Sequence, residues 1–173
     1  MRILFWTTSF WPTIGGLEVL GTEQALELRR RGHEIRVVAQ HDGGSLPPSD
    51  SYGGIPIDRF PFHSVLADRD VAGIARIRER LLGLMADFRP ELIHLHVLGP
   101  QAVFCSMVRT GDRPPLLVTR HTLFDRDQNV ARETLPYRIL DSADWVACPS
   151  VAVRDETIRL VPGTANRSSV IPN

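Results

Sequence analysis

The chain has 173 residues, and its 20 basic side chains, all of them arginine, balance 20 acidic ones to a formal net charge of +0. A domain of this length buries roughly 70% of the surface of its unfolded chain, so it needs neither disulfides nor a metal to hold a core. The neutral charge argues against a nucleic-acid binder, because affinity for a polyanion needs a basic excess. The lack of lysine excludes a P-loop lysine, a Schiff-base lysine and a lysine general base.

Short apolar runs alternate with longer amphipathic stretches, which is typical of a doubly wound α/β fold with a parallel sheet. In chain order, seven strands are predicted at Ile3 to Thr7, Ile35 to Ala39, Ile57 to Phe62, Leu92 to Leu98, Leu116 to Thr119, Trp145 to Cys148, and Val170 to Ile171. Helices are predicted at Leu17 to Arg31, Val71 to Phe88, Gln101 to Arg109, Arg132 to Asp141, and Val151 to Leu160. We therefore expect one Rossmann-like domain over residues 1–173, with a sheet of about seven strands.

Glycine and proline divide the remaining segments. Gly32 is predicted to end the first helix at the C′ position. The flanking prolines of Ile57 to Phe62 favour an edge strand. Glycines, prolines and serines are frequent from His41 to Pro56, which predicts a long, mobile loop. Ser150 is a candidate N-cap for the last helix.

No apolar run approaches the roughly 20 residues that span a bilayer, and the first residues lack the pattern of a signal peptide. We therefore expect a cytoplasmic protein. Cys105 and Cys148 lie in apolar surroundings, which favours two buried thiols over a disulfide. The arginines of Val71 to Phe88 could contact acidic lipid headgroups, but the acidic residues between them favour a solvated face.

Ligands of open parallel sheets bind outside the carboxyl ends of the strands. The segments predicted to leave those ends carry residue types that bind anions or polar ligands, namely Gly15, Gly16, His96, His121 and Ser150. This convergence is the main sequence evidence for a binding site.

Gly15 and Gly16 lie between the first strand and the first helix, where bare backbone N–H groups and a helix N-terminus favour an anion such as phosphate. A tight turn that merely needs glycine is the alternative. The spacing to Gly21 does not match a dinucleotide fingerprint, which disfavours an NAD-dependent oxidoreductase, although Asp42 keeps that alternative open. Glu18 falls in the first helical turn, where capping competes with ligand binding as its role.

His94 and His96 are predicted to point to the same side of one strand, a spacing that suits a metal, but no third ligand is evident. His94 is expected to be a hydrogen-bonded core residue, whereas His96 is expected to face the cleft. His121 follows a strand directly and is the best placed of the three for binding; a bond from its ring to the loop backbone is the alternative. The sequence contains no nucleophile elbow and no recognisable cysteine nucleophile.

The glycine turn, the strand-end histidines and the final Ile-Pro-Asn together give the chain a resemblance to the N-terminal domain of retaining glycosyltransferases of family 4, which have the two-domain GT-B fold. The matching segments are MRILFWTTSFWPTIGGLEVLGTEQALELRRRGHEIRVVA, PELIHLHVLG, LLVTRHTLF, ADWVACPSVAVRDETIRL and SVIPN. They follow in the order and spacing of the family.

The resemblance implies that this domain binds the acceptor (a sugar, lipid or small molecule), while a second domain holds the nucleotide sugar. It places Gly15 and Gly16 against the diphosphate of the donor and gives His121 a catalytic contact with the transferred sugar. Glu18, His96 and Arg120 would be cleft residues, and Ser150 is a further candidate for binding substrate or donor. The family uses no metal and no cofactor besides its nucleotide-sugar substrate.

The second domain of the family would begin just after Asn173. We therefore expect a piece of a longer enzyme that folds but does not transfer sugar by itself, since half of the groups that stabilise the leaving diphosphate are missing. The alternative is a stand-alone ligand-binding or interaction module that uses the same crevice without chemistry.

Overall fold

The computed structural model describes residues 1–41, 44, 46–109, 113–124 and 130–172. Within them lies one sheet of eight strands: β1 (Arg2–Trp6), β2 (Glu34–Gln40), β3 (Ser49–Tyr52), β4 (Ile55–Phe60), β5 (Leu92–Leu95), β6 (Leu116–Thr119), β7 (Trp145–Cys148) and β8 (Ser168–Val170). The helices are α1 (Gly16–Arg30), α2 (Phe62–Ala67), α3 (Val71–Phe88), α4 (Gln101–Val108), α5 (Leu135–Ser142) and α6 (Val151–Leu160), followed by a 3-10 turn at Pro162–Thr164.

The strand order is β3-β4-β2-β1-β5-β6-β7-β8, and every pair is parallel except β3 with β4. The chain first builds the sheet outward from β1 through β2 and then returns to add β5 on the other side of β1. This reversal makes the gap between β1 and β5 the switch point of a doubly wound sheet. The predicted Rossmann-like α/β class is confirmed, with the seven expected strands parallel and one antiparallel strand added.

Side chains alternate between the two faces along each strand, as the pleat requires. On one face, Leu4 and Trp6 of β1 pack in a core with α2, α3, α4 and α5. On the other face, Ile3 and Phe5 join a smaller core that includes Ala25 of α1. The described helices are thus distributed unequally over the two faces of the sheet. On its own face α1 covers β1, β2 and β4, whereas β5, β6 and β7 extend beyond it.

The prediction of an edge strand at Ile57 to Phe62 is wrong in both extent and place. The strand β4 spans Ile55–Phe60 and lies between β3 and β2. Pro56 is tolerated there because parallel pairing with β2 begins only at the next residue, Ile57. The polar strand β3 takes the edge position.

The long loop predicted from His41 to Pro56 is therefore also partly wrong, because its second half forms the β3-β4 hairpin. Gly53 and Gly54 connect the two strands with φ values of 55° and 76°, a conformation that L side chains rarely adopt. The hairpin stacks Tyr52 on Trp11, with ring centroids 4.6 Å apart. Asp42, which kept the NAD alternative open, lies outside the described residues.

Several element boundaries follow from caps. Asp70 accepts a hydrogen bond from the Gly73 N–H at 2.9 Å and so begins α3, which has the predicted bounds. Ser150 accepts from the Val153 N–H at 3.3 Å, which confirms it as the N-cap of α6. Gly32, with φ of 87°, ends α1 as predicted.

Other boundaries differ from the prediction. The short helix α2 was not predicted at all. α5 begins at Leu135 rather than Arg132, because Pro136 occupies its first turn, where a missing N–H costs no helical bond. β5 ends at Leu95, so His96 lies just beyond the strand.

Two further findings concern the interior and the helices. Cys105 and Cys148 are buried free thiols, as predicted. Within the described part of the chain, no helix has both the length and the apolar character needed to cross a bilayer.

The first testable prediction concerns the packing of α2. The ring of Phe62 is fully buried, and its centroid lies 4.7 Å from that of Phe104 and 5.4 Å from that of Phe60. Phe62→Ala should lower the free energy of unfolding by about 3–5 kcal/mol, because it removes an aromatic ring and leaves a cavity. The measurement is urea unfolding. Val71→Ala is the control and should change stability by less than about 0.5 kcal/mol, since Val71 is 77% exposed. Equal losses in the two variants would contradict the packing described here.

Candidate functional site

The carboxyl edge, meaning the edge of the sheet at which the parallel strands end, brings together most of the predicted site residues. Gly15 and Gly16 follow β1, His96 follows β5, and His121 follows β6. Because β5 lies between β1 and β6 in the sheet, these three segments follow one another along the same edge. A cavity of about 160 Å³ at this edge is lined by both Leu17, the residue after Gly16, and His121. The predicted convergence of the glycine turn and His121 is therefore present.

Gly16 is the first residue of α1, and a Cβ placed on it would meet no atom within 4 Å. Neither packing nor a positive φ requires glycine at this position. Gly15 is the N-cap, with extended backbone that any residue can adopt. A Cβ on Gly15 would instead collide with the carboxylate of Glu18, which folds back over the helix start. Glu18 thus occupies the position of a first-turn acid at the positive end of the helix dipole.

Three histidine rings form a row beneath this edge. The ring of His94 lies 5.7 Å from that of His96, which lies 4.4 Å from that of His121, between centroids. His94 Nε2 is hydrogen-bonded to Oγ1 of Thr119 at 2.8 Å, so its expected role as a bonded core residue is confirmed. Within the described residues, neither ring nitrogen of His96 or of His121 has a hydrogen-bond partner. The site therefore contains two imidazoles with free hydrogen-bonding capacity.

His96 is held by close packing instead. Its ring lies 5.0 Å from the ring of Phe5 on β1, between centroids, and the residue is 1% exposed. On the helix side it faces Gly21 of α1, where a Cβ would come within 3.2 Å of the His96 Cε1. Gly21 thus lets α1 approach the imidazole closely.

The histidine pocket, a cavity of about 350 Å³ on the α1 face of the sheet, opens beside this row. It is lined by His94, His96, His121, Thr119, Glu23 and Gln24, among others. His121 also lines the smaller cavity at the carboxyl edge, so its ring stands between the two spaces. A larger cavity of about 590 Å³, between Arg29, Pro56 and Phe88, lies near the starts of β2 and β4. The switch-point rule favours the carboxyl edge over that opposite location.

Burial keeps the three imidazoles neutral. It lowers the pKa of His94 and of His96 to about 3, and the neighbouring His121 contributes in the same direction. Burial also lowers the pKa of His121, and the nearby backbone of His96, which makes no hydrogen bond of normal geometry with the ring, partly opposes this. A neutral imidazole can donate one hydrogen bond and accept another, which suits the hydroxyl groups of a sugar.

Arg120 and Ser150 lie at the same edge but have other partners. The Arg120 side chain is 2% exposed and donates to Thr122, Glu156 and Thr157. The Ser150 hydroxyl caps α6. Ligand binding by either residue stays a prediction. No group of three or more potential metal ligands occurs among the residues that the structure describes.

Sequence reasoning missed three contributors to this site, which are Gly21, Thr119 and Glu156. Gly21 carried a signal, since a glycine inside a helical pattern often marks close packing. Thr119 and Glu156 carried none, because their partners His94 and Arg120 are 25 and 36 positions away.

A second prediction tests the contact between Gly21 and His96. Gly83→Ala, on an exposed part of α3 with no atom within 4 Å of the added Cβ, should stabilise the protein by about 0.5–1 kcal/mol through helix propensity. Gly21→Ala should instead be less stable than Gly83→Ala by about 1–3 kcal/mol, because the added Cβ lies 3.2 Å from the His96 Cε1 and the ring must shift from its packing on Phe5. Urea unfolding measures both. Equal stabilisation by the two substitutions would show that α1 does not press on His96.

A third prediction concerns pH. The pKa values of His94 and His96 are lower in the folded protein than their ordinary value of 6.5, so the unfolded chain binds more protons below that pH. The free energy of unfolding should have its full value above about pH 6.5. Below that pH it should decrease toward pH 5, by up to about 1.4 kcal/mol per pH unit for each histidine.

The measurement is urea unfolding at a series of pH values from 7.5 to 5. His96→Gln should give a shallower slope by about the contribution of one histidine. His63→Gln, which changes an exposed histidine of α2, should leave the slope as it is. If the wild type and His96→Gln had the same slope, His96 would not be buried in its neutral form.

Comparison with known proteins gives the site a context. A GDP-mannose-dependent alpha-mannosyltransferase of Mycolicibacterium smegmatis is 28% identical over 96 residues, which are 55% of this chain and 25% of that protein. The fold is similar to that of sucrose-phosphate synthase from Thermosynechococcus elongatus, with a TM-score of 0.75 and 15% identity over 99% of this chain and 47% of the other.

Two further solved structures share the fold. The catalytic domain of starch synthase IV from Arabidopsis thaliana, bound to ADP and acarbose, gives a TM-score of 0.66 and 12% identity over 99% of this chain and 51% of the other. UDP-GlcNAc 2-epimerase from Methanocaldococcus jannaschii gives 0.65 and 10% over 99% of this chain and 45% of the other. The chain thus spans about half the length of these structures and a quarter of the mannosyltransferase.

The family model for Glycosyltransferase Family 4 matches residues 14–173, a range that contains the glycine turn, all three edge histidines and α6. Its match covers most of the chain, and the fold is similar to about half of the sucrose-phosphate synthase structure. The chain belongs to glycosyltransferase family 4.

Proposed function

We propose that this chain is the acceptor-binding N-terminal domain of a retaining glycosyltransferase, which moves a sugar from a nucleotide-sugar donor to an acceptor. The reaction takes place in a cleft between this domain and a second one that holds the nucleotide. The chain alone is expected to be inactive. Donor and acceptor are the substrates, and no metal or other cofactor takes part.

One observation carries this proposal: the open Cβ position of Gly16 and the unpartnered ring of His121 lie at the same edge of the sheet, after the strands on either side of β5, and His121 and Leu17, the residue after Gly16, line one cavity there. The first turn of α1 leaves its backbone N–H groups without helical partners, and the helix dipole adds positive potential there. A diphosphate could approach these groups closely at Gly16, because no side chain stands in the way.

Glu18 is part of this arrangement. Its carboxylate lies against Gly15, where it neutralises the helix start in the absence of a ligand. An arriving diphosphate would compete with it for the same space at the helix start. Since the Glu18 side chain is long and only half-buried, it can turn away when an anion binds.

His121 supplies the second element. Its neutral ring can form hydrogen bonds with the hydroxyls of the sugar as charge develops at the reaction centre. His96 lies directly behind it and adds ring nitrogens that are also unpartnered. The charge on the leaving diphosphate needs further donors, and we assign these to the second domain.

The relatives support this class of substrate. The similar mannosyltransferase is GDP-mannose-dependent, and the starch synthase structure contains ADP and a saccharide. The epimerase shares the fold as well, so the fold by itself does not distinguish transfer from other chemistry on nucleotide sugars. Family membership favours transfer.

The fourth prediction applies to an enzyme in which this chain is followed by its second domain. His121→Ala should lower kcat by about 10² to 10³ while weakening donor binding less, because it removes a contact that strengthens in the transition state. Gly16→Val should weaken donor binding first, because a branched side chain would fill the position that the diphosphate approaches. Steady-state kinetics and donor titration measure these effects, and product analysis by NMR shows whether the anomeric configuration is retained.

Gly83→Val is the matched control, since it places the same side chain at an exposed, open helical position far from the carboxyl edge. It should leave kinetics unchanged. Normal donor affinity in Gly16→Val would show that Gly15 and Gly16 only form a turn and do not contact the donor. Sugar transfer by the 173-residue chain alone, if His121→Ala abolished it, would refute the assignment of acceptor and nucleotide to two different domains. Specific binding without sugar transfer in the longer protein would favour a binding module.

A further inference from the structure

Arg120 carries its guanidinium into the interior between β6 and α6. Its Nη1 donates to Oγ1 of Thr157 at 2.7 Å, and its Nη2 donates to Oε2 of Glu156 at 2.6 Å. The Thr157 hydroxyl gives its single proton to the carbonyl of Val153, so toward Arg120 it acts as an acceptor. A buried cation is therefore held by one carboxylate and one hydroxyl, both from α6.

The side chains of Arg120 and Glu156 also hold the segment that follows His121. Arg120 Nη2 donates to the carbonyl of Thr122 at 2.9 Å, and the N–H of Phe124 donates to Oε2 of Glu156 at 3.1 Å. The guanidinium carbon lies 4.0 Å from the centroid of the Phe124 ring. The backbone on the C-terminal side of His121 is thus attached to α6 directly at Phe124 and, through the Arg120 guanidinium, at Thr122.

His121 needs such support because its ring has no hydrogen-bond partner within the described residues. On its N-terminal side, the N–H of Arg120 donates to the carbonyl of Ala147 on β7 at 2.9 Å, which fixes the end of β6. Its ring contacts that of His96. The position of the ring therefore depends on the backbone on both sides and on one packing contact.

We propose that Arg120 and Glu156 are positioning residues whose ion pair attaches residues 120–124 to α6 and thereby holds the His121 ring at the carboxyl edge. This assigns Arg120 a role through His121 instead of a direct contact with substrate. The value of holding His121 rests on the proposed function, whereas the attachment itself does not.

A purely stabilising pair would give a different result from a positioning pair. Removing one partner of a buried ion pair leaves an uncompensated charge and destabilises any protein. The test must therefore report on His121 and on its segment separately from global unfolding. NMR of the 173-residue chain does this, through the ring C–H signals of His121 and the exchange rate of the Phe124 amide proton.

Glu156→Ala should increase the hydrogen-exchange rate of the Phe124 amide by a factor at least about ten times larger than the factor for amides of β1 and β5. It should also shift the His121 ring signals. Glu156→Gln should restore both toward wild type, because its carbonyl oxygen can accept the same two hydrogen bonds. Arg159→Ala is the matched control. It removes the exposed arginine that lies 3.9 Å from the other oxygen of Glu156, and it should change neither signal.

Unchanged His121 ring signals in folded Glu156→Ala would overturn the proposal, as would uniform acceleration of exchange throughout the sheet. If Glu156→Ala does not fold, the double variant Arg120→Met/Glu156→Met takes its place, since apolar side chains of similar volume can replace a buried pair without leaving a charge. It should fold with the same local changes, and wild-type His121 signals in it would equally overturn the proposal. If the chain shows the His121 response but His121→Ala leaves the turnover of the two-domain enzyme unchanged, the proposed function alone is rejected.

Discussion

His96 lies between the rings of Phe5 and His121, and this stack fixes the position of the imidazoles at the carboxyl edge. Charging His94 or His96 would place an unpaired cation in the interior, so these two rings are neutral in the folded protein. Gly21 completes the constraint by bringing the backbone of α1 against His96. These ring contacts act together with backbone hydrogen bonds at the same edge, such as the one from the His96 N–H to the carbonyl of Trp6 at 2.8 Å.

The sheet topology explains why this stack lies beside the helix start. All described helices after β4 contribute to the core on the face opposite α1, which leaves the α1 face of β5, β6 and β7 less covered. The histidine pocket occupies that uncovered region. The same reversal of strand order that opens the switch point therefore also provides space next to His121.

Much of the fold could be predicted from sequence because its signals are local. Apolar residues recur at helical spacing within α3, at Ile77, Leu81, Leu84 and Phe88, and the Ser150 cap lies directly beside α6. The β3-β4 hairpin was missed because Ser49–Tyr52 is polar, and an edge strand needs no apolar run. α2 was missed because its six residues are too few to show a helical period.

The candidate site follows the same division. Topology alone was enough to bring Gly16 and His121 to one edge, since parallel strands end together. The burial of Arg120 could not be predicted, because an arginine next to a histidine in a polar segment looks like a surface residue. Its partner Glu156 lies 36 positions away on another helix, and only the folded chain places the two side chains together.

Titration of the isolated 173-residue chain with GDP-mannose, followed by amide NMR, tests the central claim most directly. The claim is that the carboxyl edge is the binding site and that the nucleotide is held mainly elsewhere. It predicts weak binding, with shifts at the amides of Gly16 and Leu17 and in the segment around His121. Shifts centred on the larger cavity near Arg29 and Pro56, with none at Gly16 or His121, would contradict it.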